Sequence, residues 1–76
     1  MEQFISLIAK SLVDRPEAVR VNTVRGSQIS VLELSVAKED LGKIIGKKGR
    51  TAGAMRTLLN ALAAKSKRPF VLEIVE

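Results

Sequence analysis

A helical pattern in the middle of this chain is interrupted by Gly46-Lys47-Lys48-Gly49, and the interruption limits what the segment can build. Ile44 and Ile45 lead into it and Arg50 follows. Glycine has no Cβ, so it tolerates positive φ and leaves room for a ligand at the main chain. Lys47 and Lys48 then sit at the tip. The amide groups of a helix that starts after Gly49 point toward the same place. The tetrapeptide alone fits either an ordinary helix-to-helix turn or a loop that admits a phosphate.

The flanking patterns set its context. Residues 3–13 read as a helix, with Phe4, Ile5, Leu7, Ile8 and Leu12 at helical spacing and Lys10 and Ser11 turned away. Asp14-Arg15-Pro16 ends it, because the residue before proline disfavours the α region. Ala18 to Arg25 reads as a strand in which Val19, Val21 and Thr23 alternate with Arg20, Asn22 and Val24. Gly26-Ser27 is a hairpin turn signal of the type II′ kind. Residues 28–36 form the return strand, with Leu32, Leu34 and Val36 as core; Ile29 and Val31 then mark a bulge or an apolar patch on the open face.

Residues 38–45 read as a short helix, with Glu39 and Asp40 in its first turn, where they suit the helix dipole. After the glycines, residues 50–65 predict a longer helix with Met55, Leu58, Leu59 and Leu62 on one stripe and several alanines to raise its propensity. Past Pro69, Phe70, Leu72 and Ile74 alternate as a last strand. The order α-β-β-α-α-β implies a two-layer α+β domain with helices on one face of the sheet. No repeat and no second domain is expected, so residues 1–76 are read as one unit.

Charge singles out the same region. All eight acidic residues lie at or before Asp40, or at or after Glu73. Between them, Lys43, Lys47, Lys48, Arg50, Arg56, Lys65, Lys67 and Arg68 have no acidic neighbour in sequence, and the chain carries a net +5. Such a segment attracts polyanions, although a solvated basic helix would carry the same charge. An anionic membrane surface is disfavoured, because no basic amphipathic helix with aromatic anchors is present.

Other classes are excluded by what the 76 residues lack. A chain this short buries roughly 60–65% of its unfolded surface, so the core is thin. With no cysteine there is no disulfide, and with no histidine the usual metal ligand and proton shuttle are missing. No cofactor or metal is expected, and no enzyme. Gly42 to Lys48 fails as a phosphate-binding P-loop: only three residues separate Gly42 from Gly46, and Lys48 stands where Ser or Thr is required. No stretch approaches the ~20 apolar residues of a membrane span. The N-terminus Met1-Glu2-Gln3-Phe4 lacks the basic region of a secretory signal. A cytoplasmic location is the expectation.

With its context in place, the stretch Asp40-Leu41-Gly42-Lys43-Ile44-Ile45-Gly46-Lys47-Lys48-Gly49-Arg50-Thr51 closely resembles the signature of KH domains. The preceding helix and strand correspond to the type II arrangement, and the resemblance covers essentially the whole chain. It implies a type II KH fold with a three-stranded mixed sheet, and a Gly-x-x-Gly loop that clamps the backbone of about four nucleotides. The chain is also similar to the small single-KH RNA-binding proteins of bacteria, which implies a homodimer, a heterodimer with a larger KH-containing protein, or both. It departs from many KH motifs at Ala52, where they carry a large aliphatic residue.

On this reading single-stranded RNA is the partner. Gly46 and Gly49 let the loop approach the sugar-phosphate chain, and Lys47 and Lys48 neutralise phosphates. Arg50 and Lys43 extend the positive track, and Gly42 gives the bases a flat approach. Ile45 is assigned to the groove floor and Ile44 to the core, with the reverse as the alternative. Arg56 reaches a phosphate or solvates the helix. With two phenylalanines, both in core-like patterns, and no Trp or Tyr, stacking platforms are scarce and specificity should be low. One such module binds weakly, and two linked copies gain from effective concentration. Ala54, Leu58 and Ala61 offer a second stripe for that pairing, or simply serve helix propensity. A protein-interaction module of the same fold, or a general single-strand binder, is the rival reading.

Overall fold

The computed structural model describes residues 1–66 and 69–75, so Lys67 and Arg68 of the basic segment lie outside the described residues. Helix α1 (Glu2–Leu12) is followed by a short turn, strands β1 (Arg20–Arg25) and β2 (Ser30–Ser35), helix α2 (Leu41–Ile45), helix α3 (Arg50–Ser66) and strand β3 (Phe70–Val75). Strand β2 is central: β1 pairs with it antiparallel and β3 parallel. Parallel neighbours need a crossover, and α2 and α3 supply it. The result is the α+β order read from the sequence, with a mixed sheet.

The core lies where the helices meet the sheet. Ile5 and Ala9 of α1, Leu32 and Leu34 of β2, Ile44 of α2, Met55 and Leu59 of α3 and Leu72 of β3 are all buried in one cluster. Two predicted stripes are shifted. On α1, Ala9 is buried, while Leu7 is 67% exposed because it lies across the helix from Ile5, and Leu12 is exposed at the helix end. On α3, Ala52, Met55, Leu59 and Ala63 face inward at helical spacing, and Leu58 and Leu62 are turned to the flank. Small residues at Ala52 and Ala63 let α3 lie close to the sheet.

Both strands of the hairpin are shorter than predicted, because a single turn at Pro16–Ala18 precedes β1 and the connection takes residues 26–29. The turn is displaced by one residue. Gly26 donates its N–H to the Ile29 carbonyl at 2.8 Å, which puts Ser27 and Gln28 at the tip. Gly26 does not have the positive φ of a type II′ turn; a Cβ there would stand 3.0 Å from the Ile29 oxygen, so close approach is what glycine permits. The β1–β2 register runs unbroken from Arg20↔Ser35 to Arg25↔Ser30, which leaves no bulge. Val24, Val31 and Val71 instead align across the open face of the sheet.

Candidate nucleic-acid interface

The glycine loop joins α2 to α3 through backbone that few side chains tolerate. Gly46 ends α2 at φ 75°, ψ 172°, a region nearly exclusive to glycine. Its N–H still donates to the Gly42 carbonyl at 2.8 Å, closing the last turn. Lys48 adopts the left-handed conformation at φ 56°, ψ 27°, and Gly49 follows at φ 73°. Gly49 N–H donates to the Gly46 carbonyl at 3.2 Å, which draws the loop into one tight turn. Lys47, Lys48 and Arg50 project from it exposed, with no ion-pair partner among the described residues.

Behind the loop, Ile44 is fully buried and Ile45 stands 37% exposed. Ile45, Gly49, Ala52 and Arg56 form one wall of an open groove of about 450 Å³, and Val71 to Ile74 of the edge strand β3 form the other. Ala52, where many KH motifs are larger, is buried at the groove wall. Arg56 crosses the groove, its Nε donating to the Leu72 carbonyl at 3.4 Å. Its two readings from sequence, phosphate contact or helix solvation, are thus joined by a third: it bridges the two walls. That role depends on the α3–β3 packing, which no local pattern announces.

Two predicted site residues lie apart from this surface. Gly42 is exposed on α2, with open space where a Cβ would be and no part in the groove wall. Lys43 points toward the link after α1, where its ammonium donates to Asp14 and, at 3.4 Å, to Asp40. The hydrogen bond to Asp14, with help from Asp40, raises the Lys43 pKa above its ordinary value despite some burial. Lys43 is therefore engaged as a structural tie, while Lys47, Lys48 and Arg50 have no ion-pair partner among the described residues.

Asp40 does more than face the helix dipole. Its buried carboxylate accepts the N–H groups of Asp14 at 3.2 Å and Arg15 at 3.0 Å, together with the Lys43 ammonium. Burial pushes its pKa up, but these donors outweigh it and hold the carboxyl below its usual value. Arg15 adds ion pairs to Glu17 at 3.1 Å and Glu39 at 3.0 Å. The segment leading into α2 is so fastened to the end of α1, and the glycine loop hangs from that anchored helix.

A β-α-α-β crossover with a Gly-x-x-Gly turn between its helices, preceded by a helix and a strand, defines a KH domain in the type II arrangement. Sequence comparison is more specific. The profile described as KhpA/KhpB, KH domain, matches residues 2–74, and the chain belongs to that family. It is 51% identical over 75 residues to the RNA-binding protein KhpA of Caldanaerobacter subterraneus, covering 99% of this chain and 100% of that one. It is 53% identical over 76 residues to RNA-binding protein KhpA of Chlamydia pneumoniae, covering 100% and 97% of the two chains. These relatives are named as binding proteins and not as enzymes. A crystal structure of Aquifex aeolicus Era bound to GDP.AlF4- shares the fold with a TM-score of 0.63 at 22% identity, over 96% of this chain and 28% of that one. Among the described residues, no helix is long and apolar enough to cross a membrane.

Proposed function

We propose that this chain, as one KH unit, binds single-stranded RNA in the cytoplasm, with the Gly46–Gly49 loop clamping the sugar-phosphate chain and the adjoining groove receiving bases. The observation that carries this reading is the pair Lys47 and Lys48, exposed and unpaired among the described residues, beside a groove whose walls are largely aliphatic and carry Arg56 and Glu73. Phosphates approach Gly46 and Gly49 closely, meet the amide groups at the start of α3, and exchange counterions for Lys47, Lys48 and Arg50. The naming of the relatives as RNA-binding proteins supports the polymer chosen. Low specificity suits an RNA chaperone or a post-transcriptional regulator. Fluorescence anisotropy with short RNA and DNA oligomers at two salt concentrations tests the site. Binding should be salt-sensitive and lost in the folded Lys47→Asp/Lys48→Asp variant; unchanged affinity in that variant overturns the assignment, and the DNA series reports the sugar preference.

Assembly is the second part of the reading. Ala54, Leu58 and Ala61 are exposed on α3, with Leu58 at 49% and the neighbouring Leu62 at 37%. This apolar flank supports a homodimer, a heterodimer with a larger KhpB-like KH protein, or both. It also favours the rival reading, in which the fold serves protein assembly without RNA. Leu58→Asp should leave stability nearly unchanged and convert the protein to monomer in sedimentation experiments; a wild type that is monomeric at all concentrations rejects the homodimer.

A further inference from the structure

The groove continues past Arg56. Beyond that residue a smaller chamber of about 130 Å³ lies between α3 and the start of β3, walled by Leu59, Asn60, Phe70 and Val71. Arg56, Val71 and Leu72 line both compartments, and the hydrogen bond from Arg56 to the Leu72 carbonyl lies where the two meet. The first compartment is lined by the aliphatic Ile45, Ala52, Val71 and Ile74, with Glu73 as its second charged residue beside Arg56. The second adds an aromatic ring and a carboxamide.

The carboxamide is free to act. Asn60 is exposed on α3 and makes no side-chain hydrogen bond with any described residue. Asparagine is a poor helix former, so its place within a 17-residue helix contributes nothing to the fold that alanine would not. An amide presents one acceptor and one donor side by side. That pattern matches adenine, which offers an amino donor next to a ring-nitrogen acceptor. Phe70 is half-buried against the core and lines the chamber wall, where an unstacked base can lie against it. Asn60 is ten residues beyond Arg50 on α3, about 15 Å along the axis, so a base here is separate from the phosphates at the loop.

We propose that the Asn60–Phe70 chamber is a base-reading subsite that selects adenine at the far end of the groove. The proposal rests on the RNA-binding reading above and supplies it with a source of specificity. Oligo-adenylate, oligo-uridylate and oligo-cytidylate of equal length are titrated against the full chain and against Asn60→Ala. The wild type should favour oligo-adenylate about fivefold or more, the lower end for one bidentate amide–base pair. Asn60→Ala should lose that preference with oligo-uridylate affinity unchanged, and Asn60→Asp, which only accepts, should lose adenine more strongly. Because Asn60 is exposed, these variants should fold, and circular dichroism checks that they do. Equal affinity for the three oligomers, or an adenine preference that survives in Asn60→Ala, overturns the subsite while leaving RNA binding intact. No binding of any oligomer overturns the RNA reading itself, and the subsite with it.

Discussion

Thr51 closes over Gly46: a Cβ on Gly46 would lie 2.9 Å from the Thr51 backbone nitrogen and 2.8 Å from its Cβ. The first residue of the loop and the first turn of α3 are thus in contact across four residues of chain. Gly46→Ala meets both this collision and a backbone region closed to other residues, and should cost about 2 kcal/mol or more. Gly49 is also at positive φ, but nothing lies within 4 Å of where its Cβ would be. Gly49→Ala should cost roughly 1 kcal/mol, the left-handed penalty alone. Urea denaturation of the two variants gives the order, and an equal loss would show that Thr51 moves aside.

Lys48 is held in the left-handed region, a conformation that costs a non-glycine residue about 1–2 kcal/mol. Glycine removes that strain and returns roughly 0.5–1 kcal/mol as chain entropy. Lys48→Gly should therefore be stabilising by about 0.5 kcal/mol while RNA affinity falls. The slope of log K against log salt should become shallower by about 0.7, as expected for one phosphate contact fewer on a single strand. Stability and affinity moving together in this variant would mean that Lys48 serves the fold and not the ligand.

The Asp40 carboxylate gives the fold an acid dependence with a definite sign. Its pKa is below the ordinary value in the folded state, so its contribution is complete above the unfolded value of about 3.9 and is lost as pH falls through the lower folded value. Glu17 is lowered too, chiefly by its own backbone N–H and by Arg15, and acts in the same direction. Urea melts between neutral pH and acid should show stability falling over this window. Asp40→Asn should be less stable at neutral pH, because Lys43 and two N–H groups lose a charged acceptor, and its stability should fall less steeply toward acid. A steepness equal to that of wild type would assign the acid dependence to other carboxylates.

Element order was legible because helical and alternating patterns are local, and so are the glycines that interrupt them. The loop, with Lys47 and Lys48 at its tip, could be read from seven consecutive residues. What escaped the sequence depends on partners distant along the chain. Asp40 looks like an ordinary first-turn acid until the N–H groups of Asp14 and Arg15, 26 and 25 residues upstream, are brought to it. Lys43 belongs to the basic segment by position, yet the fold turns it toward Asp14. Leu58 and Leu62 satisfy helical spacing as well as Leu59 does, and only the placement of α3 over β3 decides which of them is covered. Arg56 could not be assigned before Leu72 was known to face it.

Ile44 and Ile45 are identical in chemistry and adjacent in sequence, so they separate the fold from the groove in one experiment. Ile44 is fully buried in α2, within the cluster that joins the helices to β2. Ile44→Asn removes its apolar contacts and buries an amide without a matching partner, which should cost roughly 3 kcal/mol or more. Ile45 is 37% exposed beside Gly49 and Ala52, where water already reaches it. Ile45→Asn should cost less than about 1 kcal/mol but weaken RNA binding, because bases lose an aliphatic wall while the phosphate contacts persist. Its salt slope should therefore match that of wild type even as affinity drops. Thermal melts and salt-dependent anisotropy on the two variants provide the comparison, and an Ile45→Asn protein with wild-type affinity would remove bases from the groove and leave the loop as the whole contact.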